Sequence, residues 1–99
     1  MVKQLLLFKF KENIKPDEIM LFFTKYKELE ALDCLHSVEY GKNSSTEGFD
    51  KGFTYGAIAS FENKDDVDTF LEHPKHVELA DKYLNPLLED FILVEFENK

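Results

Sequence analysis

Two stretches, KQLLLFKFK at residues 3–11 and DFILVEFE at residues 90–97, decide how this chain folds. Both are short and apolar with charged residues at or near their edges, the pattern of a β-strand. Successive side chains of a strand point to opposite faces. In the first stretch Gln4, Leu6, Phe8 and Phe10 point one way, and Leu5 and Leu7 the other. In the second, Ile92, Val94 and Phe96 share one side, and Phe91 and Leu93 take the opposite side. An antiparallel sheet with one wet face alternates apolar and polar residues. These strands are apolar on both faces, so both faces of the sheet require cover.

The residues between them supply the other elements. Pro16 fits a helical first position, Asp17 and Glu18 suit the positive end of the dipole, and Ile19, Phe22, Phe23, Tyr26 and Leu29 form a stripe to about residue 33. CLHSVEYG at 34–41 reads as a second strand, KNSSTEGFDKG at 42–52 as an exposed loop, and FTYGAIASFEN at 53–63 as a third strand. KDDVDTFLEH at 64–73 predicts a short helix, and PKHVELADKYL at 74–84 a further helix opening at Pro74. The order is β-α-β-β-α-β with the second helix broken, a ferredoxin-like α+β protomer with a four-stranded antiparallel sheet and helices on one face. Those helices leave the second face bare, and a fully buried Leu or Phe is worth about 1.5–3 kcal/mol relative to exposure. A second copy of the same sheet is the simplest cover, so a homodimer through the helix-free face is expected.

Composition narrows the function. The 99 residues make one domain, spanning 1–99, and with 43% hydrophobic and 14% aromatic residues they are too apolar for disorder. Twenty acids against 12 bases give a net charge of −8, without the basic stripe that nucleic acid or an anionic membrane would need. Cys34 is the one cysteine and has no internal disulfide partner, which suits a cytoplasmic location. The apolar run Leu5–Phe8 stops at Lys9, far short of a signal peptide or membrane span.

LLLFKFK at 5–11, GKNSSTEGFDKGFTYG at 41–56, EHPKH at 72–76 and PLLEDFILVEFE at 86–97 together resemble the stress-responsive A/B barrel domain family of dimeric α/β-barrel proteins. The resemblance runs the whole length in the right order. It implies a ferredoxin-like protomer whose sheet pairs face to face with a partner's to close a barrel. It also implies a range of roles, since many members are small stress-associated proteins without an assigned activity. Certain plant members are polyketide cyclases that close an aromatic ring between sheet and helices, with histidine and tyrosine as acid/base groups. This chain keeps Tyr26 and His76 at the matching positions. Gln4 stands where the family often has a histidine, Tyr55 stands where its GFTH pattern has one, and Phe70 replaces a tyrosine.

Candidate site residues follow from both lines. In EHPKH, the i, i+3 histidines His73 and His76 are interrupted by Pro74 and lack a Cys/His partner cluster, so no metal is expected, and no cofactor. His73 reads as the end of one helix and Pro74 as the start of the next. His76, in the first turn of the last helix, is the candidate proton shuttle, with Tyr26 as its partner. Gln4 and Tyr55 are expected to add polar groups to a helix-side space lined by Phe8, Phe22, Phe23, Phe70 and Ile92, fit for a small hydrophobic or aromatic ligand. The plainer alternative is that these aromatics fill the core. His36 reads as surface. The chain is therefore expected to be a ligand-binding protein or, alternatively, a cyclase- or lyase-type enzyme using His76 and Tyr26.

Overall fold

A computed structural model describes residues 1–98 of the chain. Its elements are β1 (Val2–Phe10), α1 (Pro16–Glu28), β2 (Ser37–Lys42), β3 (Tyr55–Phe61), α2 (Lys64–Glu72), α3 (Pro74–Glu78) and β4 (Leu88–Glu97). The four strands form one antiparallel sheet in the order β2-β3-β1-β4, the ferredoxin-like topology, with β1 hydrogen-bonded on both sides.

Strand register settles the two faces. Gln4 pairs with Ala59 and Glu95, Leu6 with Ala57 and Leu93, and Phe8 with Tyr55 and Phe91, so these residues share the helix-covered face. Leu5 pairs with Ile58 and Val94, and Leu7 with Gly56 and Ile92, on the helix-free face. Val2, Gln4, Leu6 and Phe8 are buried, whereas Ile58, Ile92, Val94 and Phe96 keep 37%, 40%, 49% and 50% of their surface exposed. The helix-free face is thus an apolar sheet surface open to solvent in the isolated chain.

The core gathers around Phe23 of α1. Its wholly buried ring lies 4.7 Å from that of Tyr40, 4.9 Å from Phe22, 5.4 Å from Phe8 and 5.4 Å from Tyr55. These separations lie within the favourable range for aromatic pairs. The small Ala57 and Ala59 on the same face are both buried.

The main departures from the sequence reading lie between α1 and β2 and after α3. α1 ends at Glu28 and tightens into a 3₁₀ turn at Leu29–Ala31. The second strand starts at Ser37 rather than residue 34: the Glu30 carboxylate accepts from the Val38 N–H at 2.7 Å and from Lys27 Nζ at 2.8 Å, tying the turn to the strand. Beyond α3 the chain widens into a π-helical segment, Leu79–Leu84, before a 3₁₀ turn at Asn85–Leu87. Apolar spacing at three and four residues does not distinguish that widening from an ordinary helix.

EHPKH joins α2 to α3. His73 has extended backbone (φ −65°, ψ 132°), ends α2, and accepts from the Lys75 N–H through Nδ1 at 3.1 Å, while Pro74 opens α3. A missing amide hydrogen costs nothing at a helical first position.

Phe23→Ala is expected to lower the unfolding free energy by about 3–5 kcal/mol, the usual loss for a buried aromatic, read as a fall in the urea midpoint. A loss below about 1 kcal/mol would show that the core does not centre on this ring.

Candidate functional site

Along β1 the helix-covered face changes character. Near Phe8 and Phe10 it is filled by the Phe23 cluster, whereas near Gln4 and Leu6 the helices stand back. A cavity of about 220 Å³ opens there between β1, β4, α1, the α2–α3 step and the π-helical segment. Leu6, Phe22, Phe70, Leu84, Phe91 and Leu93 supply much of its apolar lining, and Gln4, Tyr26, His76 and Asn85 its polar groups. The π-helical segment contributes Leu79, Ala80 and Leu84 to one wall.

Local geometry places Tyr26, His76 and Gln4 in this lining. Tyr26 lies one turn beyond Phe22 on the buried stripe of α1, with ring centroids 5.7 Å apart, and is almost wholly buried. Burial pushes its phenol well above the ordinary tyrosine range, so it stays protonated at cellular pH. His76 is half-buried, with its ring centroid 4.6 Å from that of Phe70 and its Nδ1 3.3 Å from the Leu71 carbonyl oxygen. Burial lowers its pKa, and the bond to Leu71 opposes that shift. If Nδ1 carries the proton and donates to Leu71, Nε2 is left as the acceptor. Gln4, also almost wholly buried, donates from Nε2 to Glu95 Oε1 at 3.2 Å, and Glu95 Oε2 accepts from Lys64 Nζ at 2.7 Å.

The structure brings Gln4, Tyr26, Phe70 and His76 to one cavity and places other expected residues elsewhere. Phe8 and Phe23 are wholly buried in the aromatic cluster and do not line it. Tyr55 lies beside Phe10 and Phe23 at the far end of the sheet, with ring centroids 5.5 and 5.4 Å away. It borders a separate hollow of about 470 Å³ under the 43–54 loop, together with Leu7, Phe49 and Ile92. Ile92 pairs with Leu7 on the helix-free face, because its parity along β4 is opposite to that of Phe91 and Leu93. His36 is exposed. No local sequence pattern contains the Lys64–Glu95–Gln4 chain: strand register joins Gln4 to Glu95, 91 positions apart, and the start of α2 brings Lys64, 31 positions away, onto Glu95.

The model of the stress-responsive A/B barrel domain family matches residues 2–98. Stress-response A/B barrel domain-containing protein HS1 of Arabidopsis thaliana is 33% identical over 94 residues, covering 94% of this chain and 84% of HS1. Olivetolic acid cyclase of Cannabis sativa is 29% identical over 83 residues, covering 83% of this chain and 82% of the cyclase. Among solved structures, At3g17210 from Arabidopsis thaliana superposes with a TM-score of 0.92 at 28% identity, over 100% of this chain and 96% of that one. A dimeric protein of ferredoxin-like fold from Bacteroides fragilis gives 0.74 at 27% identity, over 98% and 95%.

Because burial lowers the His76 pKa in the folded chain, the unfolded chain binds more protons there between the lowered value and the ordinary value of about 6.5. The contribution of this group is therefore full above that ordinary value and is lost as pH falls toward the lowered one. NMR titration is expected to give His76 ring protons a midpoint below about 6.5, and His76→Gln to remove that part of the acid loss of stability. A midpoint at or above the ordinary value would show a solvated or carboxylate-paired ring.

Proposed function

The chain belongs to the stress-responsive A/B barrel domain family, and from that premise we propose that it is a small cytoplasmic homodimer that takes a hydrophobic or aromatic molecule into the cavity between sheet and helices. The observation that carries this reading is the meeting of Gln4, Tyr26 and His76 in one largely apolar cavity. A few converging polar groups in an apolar recess are what a small ligand needs for orientation as well as burial. The single cysteine, buried at Cys34, suits a reducing compartment.

The homodimer rests on the apolar surface formed by the half-buried Leu5 and Leu7 and the exposed Ile58, Ile92, Val94 and Phe96, and on the dimeric state of the Bacteroides fragilis protein. Two such faces stacked about 10 Å apart would exclude water from both and close a barrel, leaving each helix-side cavity outside the seam. One twofold contact places the same patch on both copies.

A second reading is favoured by the shared position of His76 and Tyr26 and by the similarity to olivetolic acid cyclase. Here the chain is a cyclase- or lyase-type enzyme acting on an aromatic or polyketide-like compound. Neutral His76 takes a proton from the carbon beside a carbonyl, and the protonated Tyr26 hydroxyl donates to the carbonyl oxygen as negative charge develops there. Burial favours these two protonation states.

Native mass spectrometry of protein isolated from its own host is expected to show a dimer carrying a reproducible small-molecule adduct, absent from His76→Ala and Tyr26→Phe. Val94→Asp is expected to weaken dimerisation by roughly 100-fold in sedimentation velocity, because an unpaired carboxylate would be buried in the seam. A wild-type monomer would overturn the dimer, and a bare dimer would overturn the ligand reading. Turnover of a polyketide-like substrate, lost in both cavity variants, would move the chain to the enzyme reading.

A further inference from the structure

Gln4 is the least expected group in the cavity, because a buried amide needs partners for both its nitrogen and its oxygen. Its nitrogen has one. A carboxylate can only accept, so the contact with Glu95 fixes which end of the amide faces that residue. Glu95 is itself held by Lys64 at the start of α2, and Lys64 also lies 3.7 Å from Asp68. Lys64 and Gln4 together keep the Glu95 carboxyl below the usual carboxylate range, so the fixing charge persists at neutral pH. The Gln4 amide therefore cannot turn without breaking its bond to this carboxylate.

The carbonyl oxygen of Gln4 is left pointing away from Glu95. No hydrogen bond reaches it among the described residues, yet no fully buried side-chain polar atom there lacks a partner. Gln4 is only 3% exposed, and the space it borders is the cavity. Its oxygen is thus an acceptor without a protein partner, on a side chain that borders that space. A ligand that covers it with carbon removes its water without replacing the hydrogen bond. A carboxylate ligand would meet an oxygen that cannot donate, with the Glu95 charge behind it.

We propose that Gln4 is the specificity-determining residue of this cavity, selecting a neutral one-ring molecule whose hydroxyl donates to the Gln4 carbonyl oxygen. The size follows from volume: an apolar cavity of about 150 Å³ holds benzene, so about 220 Å³ takes one ring with a short substituent. The reciprocal contact is available as well, since the protonated Tyr26 in the same cavity can donate to the ligand oxygen. A phenol fits both partners and an ether does not. This inference rests on the ligand-binding reading above and adds the class of ligand.

The test compares two probes of nearly the same shape, 4-propylphenol and 4-propyltoluene, by isothermal titration calorimetry. Phenol gives up water on entry, so the readout is the ratio of the two dissociation constants and how it changes with mutation. Gln4→Leu is expected to cut the preference for the phenol by about tenfold, the usual worth of one buried hydrogen bond, with 4-propyltoluene binding as well or better. Glu95→Gln, outside the lining, leaves a partner that can donate as well as accept and frees the amide to turn, so it is expected to reduce the preference while leaving 4-propyltoluene within twofold. Should Gln4→Leu not fold, the Glu95→Gln comparison decides alone. An unchanged ratio in the folded variants would overturn the role of Gln4 while leaving the cavity a ligand site. Failure of both probes to bind the wild-type protein would overturn the ligand reading and this inference together.

Discussion

Strand β1 has apolar side chains on both faces and neighbours on both sides, and the rest of the structure answers to that constraint. Helices α1, α2 and α3 cover one face only, since the βαβ crossovers of a split arrangement return on the same side. The chain thus buries Leu6 and Phe8 by itself and leaves Val94 and Phe96 half in water. Fully burying each such side chain is worth about 1.5–3 kcal/mol, against a total stability of about 5–15 kcal/mol for a domain. An apolar sheet face of this kind is a strong reason for association.

The covered face is divided by α1. Phe22, Phe23 and Tyr26 lie on one buried stripe, but Phe23 reaches the aromatic cluster while Phe22 and Tyr26 reach the cavity. A sealed void costs roughly 24 cal/mol per Å³, so one of about 220 Å³ would cost on the order of 5 kcal/mol. Such a void would cancel much of the stability of a small domain. The space persists because it is open, with the part-exposed Leu71 and Leu93 at its rim. Its π-helical wall fits the same account, since the wider turn trades regular helix for side chains lining the cavity.

Much of the fold was legible because it depends on side-chain parity and on proline. The alternation of Leu5 to Phe8 and of Phe91 to Phe96 reports two faces regardless of neighbours, and Pro16 and Pro74 mark helix starts through their fixed φ and missing donor. The cavity was legible only in part. Tyr26 and His76 could be placed from α1 and the HPKH step, but Phe8 and Phe23 are equally plausible lining by residue type and go to the packed end. The misplaced Ile92 shows the limit most clearly: the same parity that set it opposite Phe91 also put it on the helix-free face, so hydrophobicity alone was a poor guide. The Glu95 contact needed the register of β1 against β4, which no local pattern contains.

The electrostatics of the cavity run against those of the whole molecule. The chain carries a net charge of −8, yet within the cavity burial disfavours both a charged His76 and an ionised Tyr26, while Gln4 carries no charge. The Glu95 carboxylate, which Gln4 touches, is offset by Lys64 and is not part of the cavity lining. An acidic surface holds anions off at long range, and an apolar recess penalises any charge that enters without a partner. Both effects point the same way, toward a neutral guest. Neutrality also links the two readings of function, because a site that holds such a guest against Tyr26 would need only a carbon acid placed against His76 Nε2 to become a catalyst.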